Sequence, residues 1–220
     1  MGKTALVLGA TGLVGKELTR LLLEDDRISR VVSVHRRTTG IVHPKLEERI
    51  MNLDHMEKAV DLFSADDIYC CLGTTIKKAG TRTAFGKVDL EYPLAAARLA
   101  KQSGAGKFLV ISSMGANPNS PFFYSRIKGK LEEELMKTGL PALFIFRPSL
   151  LLGKRNERRV AEDFAASVYR KFPGVFAGKF LAPYRPVPAE AVARAMIHMA
   201  MTDCRGVHIV SSSEILDAFS

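Results

Sequence analysis

The stretch at residues 4–15, TALVLGATGLVG, constrains the fold of this chain more than any other. Residues 5–8 form a short apolar run of strand character that ends at Gly9. Gly9, Gly12 and Gly15 then fall three apart. From Leu13 the apolar pattern turns helical, with Leu13, Val14, Leu18, Leu21 and Leu22 recurring at intervals of three and four. Glycines placed where a strand turns into a helix have the context of a dinucleotide-binding turn. Each has its own physical task. Gly9 permits a tight turn, Gly12 lets the backbone approach a pyrophosphate with no Cβ between, and Gly15 lets the helix pack close on the strand. The helix start offers free N–H groups and the positive end of its dipole to the phosphates. The spacing is G-x-x-G-x-x-G rather than the G-x-G-x-x-G of ordinary dehydrogenases.

The rest of the chain repeats the strand–helix alternation. Strands are predicted at 31–34, 46–51, 67–72, 107–111, 142–146 and 207–210. Helices are predicted at 55–63, 88–102, 122–137, 155–171, 188–201 and 213–219, with a polar loop at 77–83. Such alternation predicts an α/β fold, a Rossmann-type doubly wound parallel sheet with right-handed crossovers. A single NAD(P)-binding domain over residues 1–220 is expected. Residues from about 150–185 and 203–220 would add a small C-terminal portion covering the substrate, with a Phe-, Gly- and Pro-rich flap at 172–185.

Apolar residues make up 47% of the chain, enough for a core. No apolar run reaches the length of a membrane span, and the N-terminus enters a strand with no basic, apolar leader. Cys70, Cys71 and Cys204 cannot all pair, and Cys70 and Cys71 stand in an apolar run as buried strand residues. These points together predict a cytoplasmic protein. The net charge of +9 comes from scattered basic residues with clusters at Arg36-Arg37, Lys77-Lys78 and 154–159. No basic helix or motif supports nucleic-acid binding. The five histidines show no metal spacing, so no metal site is expected, and Glu132-Glu133-Glu134 reads as a solvated helix face.

The second strand ends in His35-Arg36-Arg37. An NAD-preferring fold would carry an acid there for the adenosine ribose. Two guanidinium groups instead suit a phosphate dianion, so Arg36 and Arg37 predict NADP(H) over NAD(H), with both on the 2′-phosphate. Asp54, closing the third strand, suits the adenine amino group or the N-cap of the next helix. Gly73 and Thr74 follow the fourth strand at its carboxyl end, the edge where α/β sheets bind ligands.

Tyr124 and Lys128 are four apart in YSRIK and share a helix face. A tyrosine hydroxyl has an unperturbed pKa near 10, and a neighbouring ammonium favours its phenolate. Lys128 could also hold ribose hydroxyls, and a serine at the end of the fifth strand, Ser113 rather than Ser112, could orient a carbonyl beside Tyr124. The site then reads as proton transfer by Tyr124 with hydride transfer at nicotinamide C4.

These residues carry a resemblance. GATGLVG, the order Ser113…Tyr124-x-x-x-Lys128 and FRPSLLLG resemble atypical or extended short-chain dehydrogenases/reductases. CCLGTT, VDLEY, FLVISSMGA and FFYSRIKGKLEEEL are similar more narrowly to the Tat-interacting oxidoreductase-like group. The resemblance covers residues 3 to about 172 well and the tail loosely. It implies Thr11, Gly12, Leu13 and Val14 as phosphate-loop contacts and Leu72, Gly73 and Thr74 along the cofactor. It implies Pro148, Ser149 and Leu150 near the nicotinamide. In one respect the chain departs: Lys87 precedes Val88 where extended members often carry Asn, which puts an Asn-dependent proton relay in doubt. The short C-terminal portion argues against a large sugar-nucleotide pocket. The leading expectation is an NADP(H)-dependent oxidoreductase acting on a small carbonyl or alcohol; the alternative is an NADP(H)-binding redox sensor without turnover. A homodimer is allowed but not specified.

Overall fold

A computed structural model describes residues 2–152 and 185–218. The turn at Gly9–Gly15 follows β1 (Lys3–Leu8) and opens α1 (Leu13–Glu24). After it come β2 (Ile28–His35), β3 (Leu46–Ile50), 3-10 turns at Leu53–Lys58 and Val60–Phe63, β4 (Asp67–Cys70), α2 (Ile76–Ala79) and α3 (Arg82–Gly86). A π-helical turn, Lys87–Glu91, leads into α4 (Tyr92–Gln102), followed by β5 (Lys107–Ile111), α5 (Phe123–Met136), β6 (Ala142–Arg147) and β7 (Leu151–Leu152). The final elements are β8 (Val187–Pro188), α6 (Ala189–Ala200), β9 (Gly206–Ser211) and α7 (Ser212–Asp217).

Seven strands form one sheet in the order β3-β2-β1-β4-β5-β6-β9, and every pairing is parallel. The Rossmann-type expectation holds. Alternate residues along each central strand feed two cores. Ala5, Val7, Leu109, Phe144 and Phe146 face α1 and α6, whose Val14, Leu18, Leu22, Val192 and Met196 close that side. Leu6, Leu8, Phe108, Val110, Leu143 and Ile145 face α4 and α5, with Ala96, Ala97, Ala100, Leu131 and Leu135 against them. Parallel strands covered on both faces need no polar alternation, which is why their sequences read as continuous apolar runs. β7 and β8 pair separately beside the carboxyl end of the sheet.

Several boundaries differ from the sequence reading. The polar loop expected at 77–83 overlaps α2 and α3, because Thr75 and Thr81 each cap a short helix by accepting from Lys78 N and Ala84 N. The helix expected at 55–63 is two 3-10 turns, capped by the Asn52 side chain on Asp54 N. The helix expected from Val88 begins as the π-turn. The fourth strand ends at Cys70, short of Leu72. The helix at 155–171, the basic cluster at 154–159 and nearly all of the flap lie outside the described residues.

Gly129 is a glycine in the middle of α5, where it costs helix stability. A Cβ there would sit 2.1 Å from Pro118 N and 2.2 Å from the Asn117 carbonyl carbon. The glycine is what lets α5 close against the 114–121 loop, and Asn117 N donates to Ser125 O at 3.0 Å across the same contact. Gly129→Ala is expected to cost about 1–3 kcal/mol through overpacking, read as a drop of several degrees in Tm. An unchanged Tm would remove Gly129 from this role.

Candidate functional site

The carboxyl ends of β1, β4, β5 and β6 open on one crevice at the point where strand order reverses, between β1 and β4. Gly9 has φ +84°, and a Cβ on it would lie 2.7 Å from Cys71 O on the turn after β4. A Cβ on Gly15 would lie 2.2 Å from Gly9 O. Gly12 N donates to Gly9 O at 2.9 Å, and Gly12 stands at the N-cap of α1 with no side-chain cap. The first N–H groups of α1 are thus left for an anion. Thr11 and Gly12 are exposed, Leu13 is half-buried, and Val14 is buried in the core. Val14 can therefore meet a ligand only through its backbone.

Beside this turn a cavity of about 940 Å³ is lined by Thr11, Lys16, Arg20, His35, Arg36, Arg37 and neighbours. Arg36 and Arg37 are exposed, and neither is ion-paired with another described residue. The chain just beyond them is pinned to β3: Thr38 Oγ1 donates to Glu48 at 2.6 Å and Thr39 N at 3.1 Å. That α1 adds Lys16 and Arg20 to this lining was not legible in the spacing of the chain. His35 is buried, 2.6 Å from Ser33 Oγ through Nε2. Burial pushes its pKa below the ordinary 6.5, and the Glu48 carboxylate at 3.5 Å offsets this only in part. Asp54 lies apart from the cavity lining. Its carboxylate accepts from Tyr92 OH and pairs with Lys87 Nζ, both at 2.6 Å, so it is already engaged by α4 and the π-turn.

Tyr124 sits in the first turn of α5, 41% exposed, with its ring edge on Phe85 at 5.9 Å. Lys128, one turn on, is buried. Its Nζ lies 2.9 Å from Asp89 Oδ1 and donates to Ile111 O at 3.4 Å. Asp89 Oδ2 accepts from Thr74 N at 2.8 Å. Burial pushes the Lys128 ammonium down, but Asp89 and the Tyr124 phenol outweigh it and hold the pKa above its ordinary value. A charged pair this deep is strongly coupled to stability: losing one partner costs about 3–5 kcal/mol.

The two serines separate cleanly. Ser112 is buried and donates to Glu132, whose carboxylate also takes Arg147 Nε at 3.1 Å. Glu132 is thus a buried charge in a network, not the solvated residue expected from the acidic triplet; only Glu133 and Glu134 fit that reading. Ser113 stays half-buried with its hydroxyl in no such network. Met114 N donates to Pro148 O at 3.1 Å, Ser149 N donates to Ser212 Oγ at 3.2 Å, and Val187 N donates to Leu150 O at 2.8 Å. These bonds hold the segment at 148–150 beside the serine loop. Leu72, Gly73 and Thr74 run between the glycine turn and Asp89.

Burial raises the thiols of Cys70 and Cys71, Cys70 to about 12, which disfavours the reactive thiolate at both. Among the described residues no cluster of three His, Cys, Asp or Glu could hold a metal ion, and no helix is long and apolar enough to cross a membrane.

A doubly wound parallel sheet, a glycine turn at its switch point and a Tyr–Lys pair after β5 define a nucleotide-binding protein of the Rossmann type. The chain belongs to the NAD dependent epimerase/dehydratase family, whose pattern matches residues 5–209. It is 34% identical to Protein HTATIP2 of Rattus norvegicus over 89% of this chain and 80% of that protein. It is 33% identical to Protein FMP52, mitochondrial, of Meyerozyma guilliermondii over 96% and 93% of the two chains. Among solved structures, Bordetella bronchiseptica WbmH in complex with NAD+ aligns with a TM-score of 0.70 and 18% identity, covering 96% of this chain and 76% of that one. The UDP-Glc/GlcNAc 4-epimerase of Campylobacter jejuni aligns at 0.71 and 13%, covering 98% and 82%. At such identities the likeness is one of fold. The cytoplasmic expectation is overturned, because FMP52 relatives from several yeasts are named mitochondrial. Free thiols mark reducing surroundings and do not single out one compartment.

Because the folded pKa of His35 is lowered, acid protonates the unfolded chain first. Its contribution to stability is whole above about pH 6.5 and is lost as pH falls through the lower folded value. Urea unfolding at about pH 7.5 and about pH 5.5 is expected to show a larger acid loss for the wild type than for His35→Gln. Equal losses would remove His35 from this account.

Proposed function

We propose that the protein is an NADP(H)-dependent oxidoreductase acting on a small carbonyl or alcohol. One observation carries the reading: Tyr124, half-open to the crevice, stands one helical turn from a buried, charge-paired Lys128, on the same sheet edge as the uncapped glycine turn. When bound, the nicotinamide would supply or accept the hydride. Gly9, Gly12 and Gly15 leave room for its pyrophosphate, which the N–H groups at Thr11–Val14 would hold. Arg36 and Arg37, with Lys16 and Arg20 nearby, would take the 2′-phosphate, and this is what favours NADP(H). Leu72, Gly73, Thr74, Pro148 and Leu150 would flank the cofactor. Asp54 would reach the adenine only by sharing its carboxylate with Lys87 and Tyr92.

In this reading Tyr124 moves the proton, Ser113 orients the substrate oxygen, and the Lys128 ammonium reaches the ribose hydroxyls. Ser113 is the proposed serine because Ser112 is committed to Glu132. Sugar-nucleotide chemistry is not proposed. The chain spans about three quarters of the length of WbmH.

Steady-state NADPH oxidation across a panel of small carbonyls is expected to show turnover that Tyr124→Phe lowers about 10²–10⁴-fold while NADPH affinity stays within a few-fold. Tight NADPH binding with no turnover on any member would instead favour a sensor that binds the nucleotide and a protein partner. Arg36→Ala combined with Arg37→Ala is expected to weaken NADPH binding about tenfold to a hundredfold and leave NADH almost unchanged. Equal effects on both would sink the 2′-phosphate assignment.

A further inference from the structure

We propose that Asp89 is the positioning residue of this site: one buried carboxylate clamps the catalytic-helix lysine with one oxygen and the cofactor-side turn with the other. The proposal rests on the oxidoreductase reading for its purpose, but its geometry stands alone. Asp89 is 1% exposed and its partner's side chain 4%. Oδ1 holds Lys128 Nζ at 2.9 Å and Oδ2 holds Thr74 N at 2.8 Å. Both oxygens are therefore used, and two elements far apart in sequence, the turn after β4 and α5, are tied at one atom group.

The local backbone explains how an acid came to be there. Asp89 lies in the π-turn Lys87–Glu91 that precedes α4. A π-turn widens the helix and changes the direction in which its side chains leave, and such turns recur at functional sites. Here the same turn sends its neighbour Lys87 outward to Asp54 at 2.6 Å. Gly73 completes the seat: a Cβ there would lie only 3.6 Å from Asp89 Oδ1, so the turn passes over the carboxylate at contact distance.

With Lys87 in place of an amide and turned away, the chain holds its lysine by a direct ion pair. The titratable groups around Lys128 are Asp89 on the π-turn, Tyr124 on its own helix and Cys70 on β4. Of these only Asp89 is placed to bear a compensating negative charge at neutral pH. Without it the ammonium would keep only the long bond to Ile111 O and the lesser influence of Tyr124 and Cys70 against burial, which favours the neutral amine. The carboxylate thus keeps Lys128 charged across the working range and fixed relative to Thr74.

The test uses the full chain and NADPH, with affinity followed by fluorescence from about pH 6 to about pH 10. In Asp89→Asn the side-chain amide oxygen can still accept from Thr74 N, but the charge is gone. NADPH affinity in that variant is expected to fall at least about tenfold more steeply than wild type toward alkaline pH, a one-unit-scale effect, as Lys128 loses its proton. In Asp89→Asn/Lys128→Met this added pH dependence is expected to vanish. A folded Asp89→Asn whose profile parallels the wild type overturns the proposal.

A second measurement needs neither that variant to fold nor the cofactor to bind. In wild-type protein carrying ε-13C-lysine, the resonance absent from Lys128→Arg is expected to remain in its charged position at about pH 10. A resonance that titrates below that value overturns the proposal even if NADPH binds. Failure of NADPH to bind the wild type, with the lysine resonance still charged, counts against the oxidoreductase reading and leaves the Asp89 clamp standing.

Discussion

Two pieces of backbone at the start of the chain approach each other with no room for a Cβ between them. A Cβ on Gly15 would lie 2.2 Å from Gly9 O, and one on Gly9 would lie 2.7 Å from Cys71 O. No side chain larger than hydrogen fits either place without moving main chain. Because α1 can sit this close to β1, its N-terminus is brought to the carboxyl edge of the sheet. Because Gly9 can sit this close to Cys71, the turn after β4 lies against the same spot. The crevice is the consequence of both contacts.

Charge is handled differently at the two ends of the crevice. Beside the glycine turn Arg36 and Arg37 are exposed and not ion-paired with described residues, with the loop beyond them tied to Glu48. Such groups are free to meet a dianion from solvent. Beside Tyr124 each enclosed cation has its own acid: buried Lys128 has Asp89, and half-buried Arg147 has the buried Glu132. Buried pairs of this kind add little net stability, yet they fix geometry, since breaking either leaves a charge in the interior. Ser112 is absorbed into the second pair, which leaves Ser113 as the hydroxyl on offer.

Much of this was legible in the sequence, and the reasons are local. The turn at Gly9–Gly15, the apolar runs of β1, β5 and β6, and the inward stripe of α6 at Val192, Ala193, Met196 and Ala200 are short-range patterns with one good solution. Tyr124 and Lys128 were readable because their spacing places them on one helix face. What could not be read depends on tertiary neighbours. Asp89 looked like one more polar residue at a helix start, because nothing in its spacing reveals a π-turn or a lysine 39 positions on. Glu132 looked solvated because its neighbours Glu133 and Glu134 are. Gly129 did carry a signal, a glycine in a helix interior, which points to close backbone packing. A buried lysine likewise implies an acid within reach, although not which one. The compartment was misread because thiol state speaks to redox conditions and not to address.

The fold, the glycine turn and the paired Tyr124 and Lys128 form one account only if a pyridine dinucleotide lies across the switch point. Calorimetric titration of the full chain with NADPH, and in parallel with NADH, addresses this directly. The account predicts saturable binding at one nucleotide per chain, tighter for NADPH. Absence of any binding heat or competition with either nucleotide would contradict it.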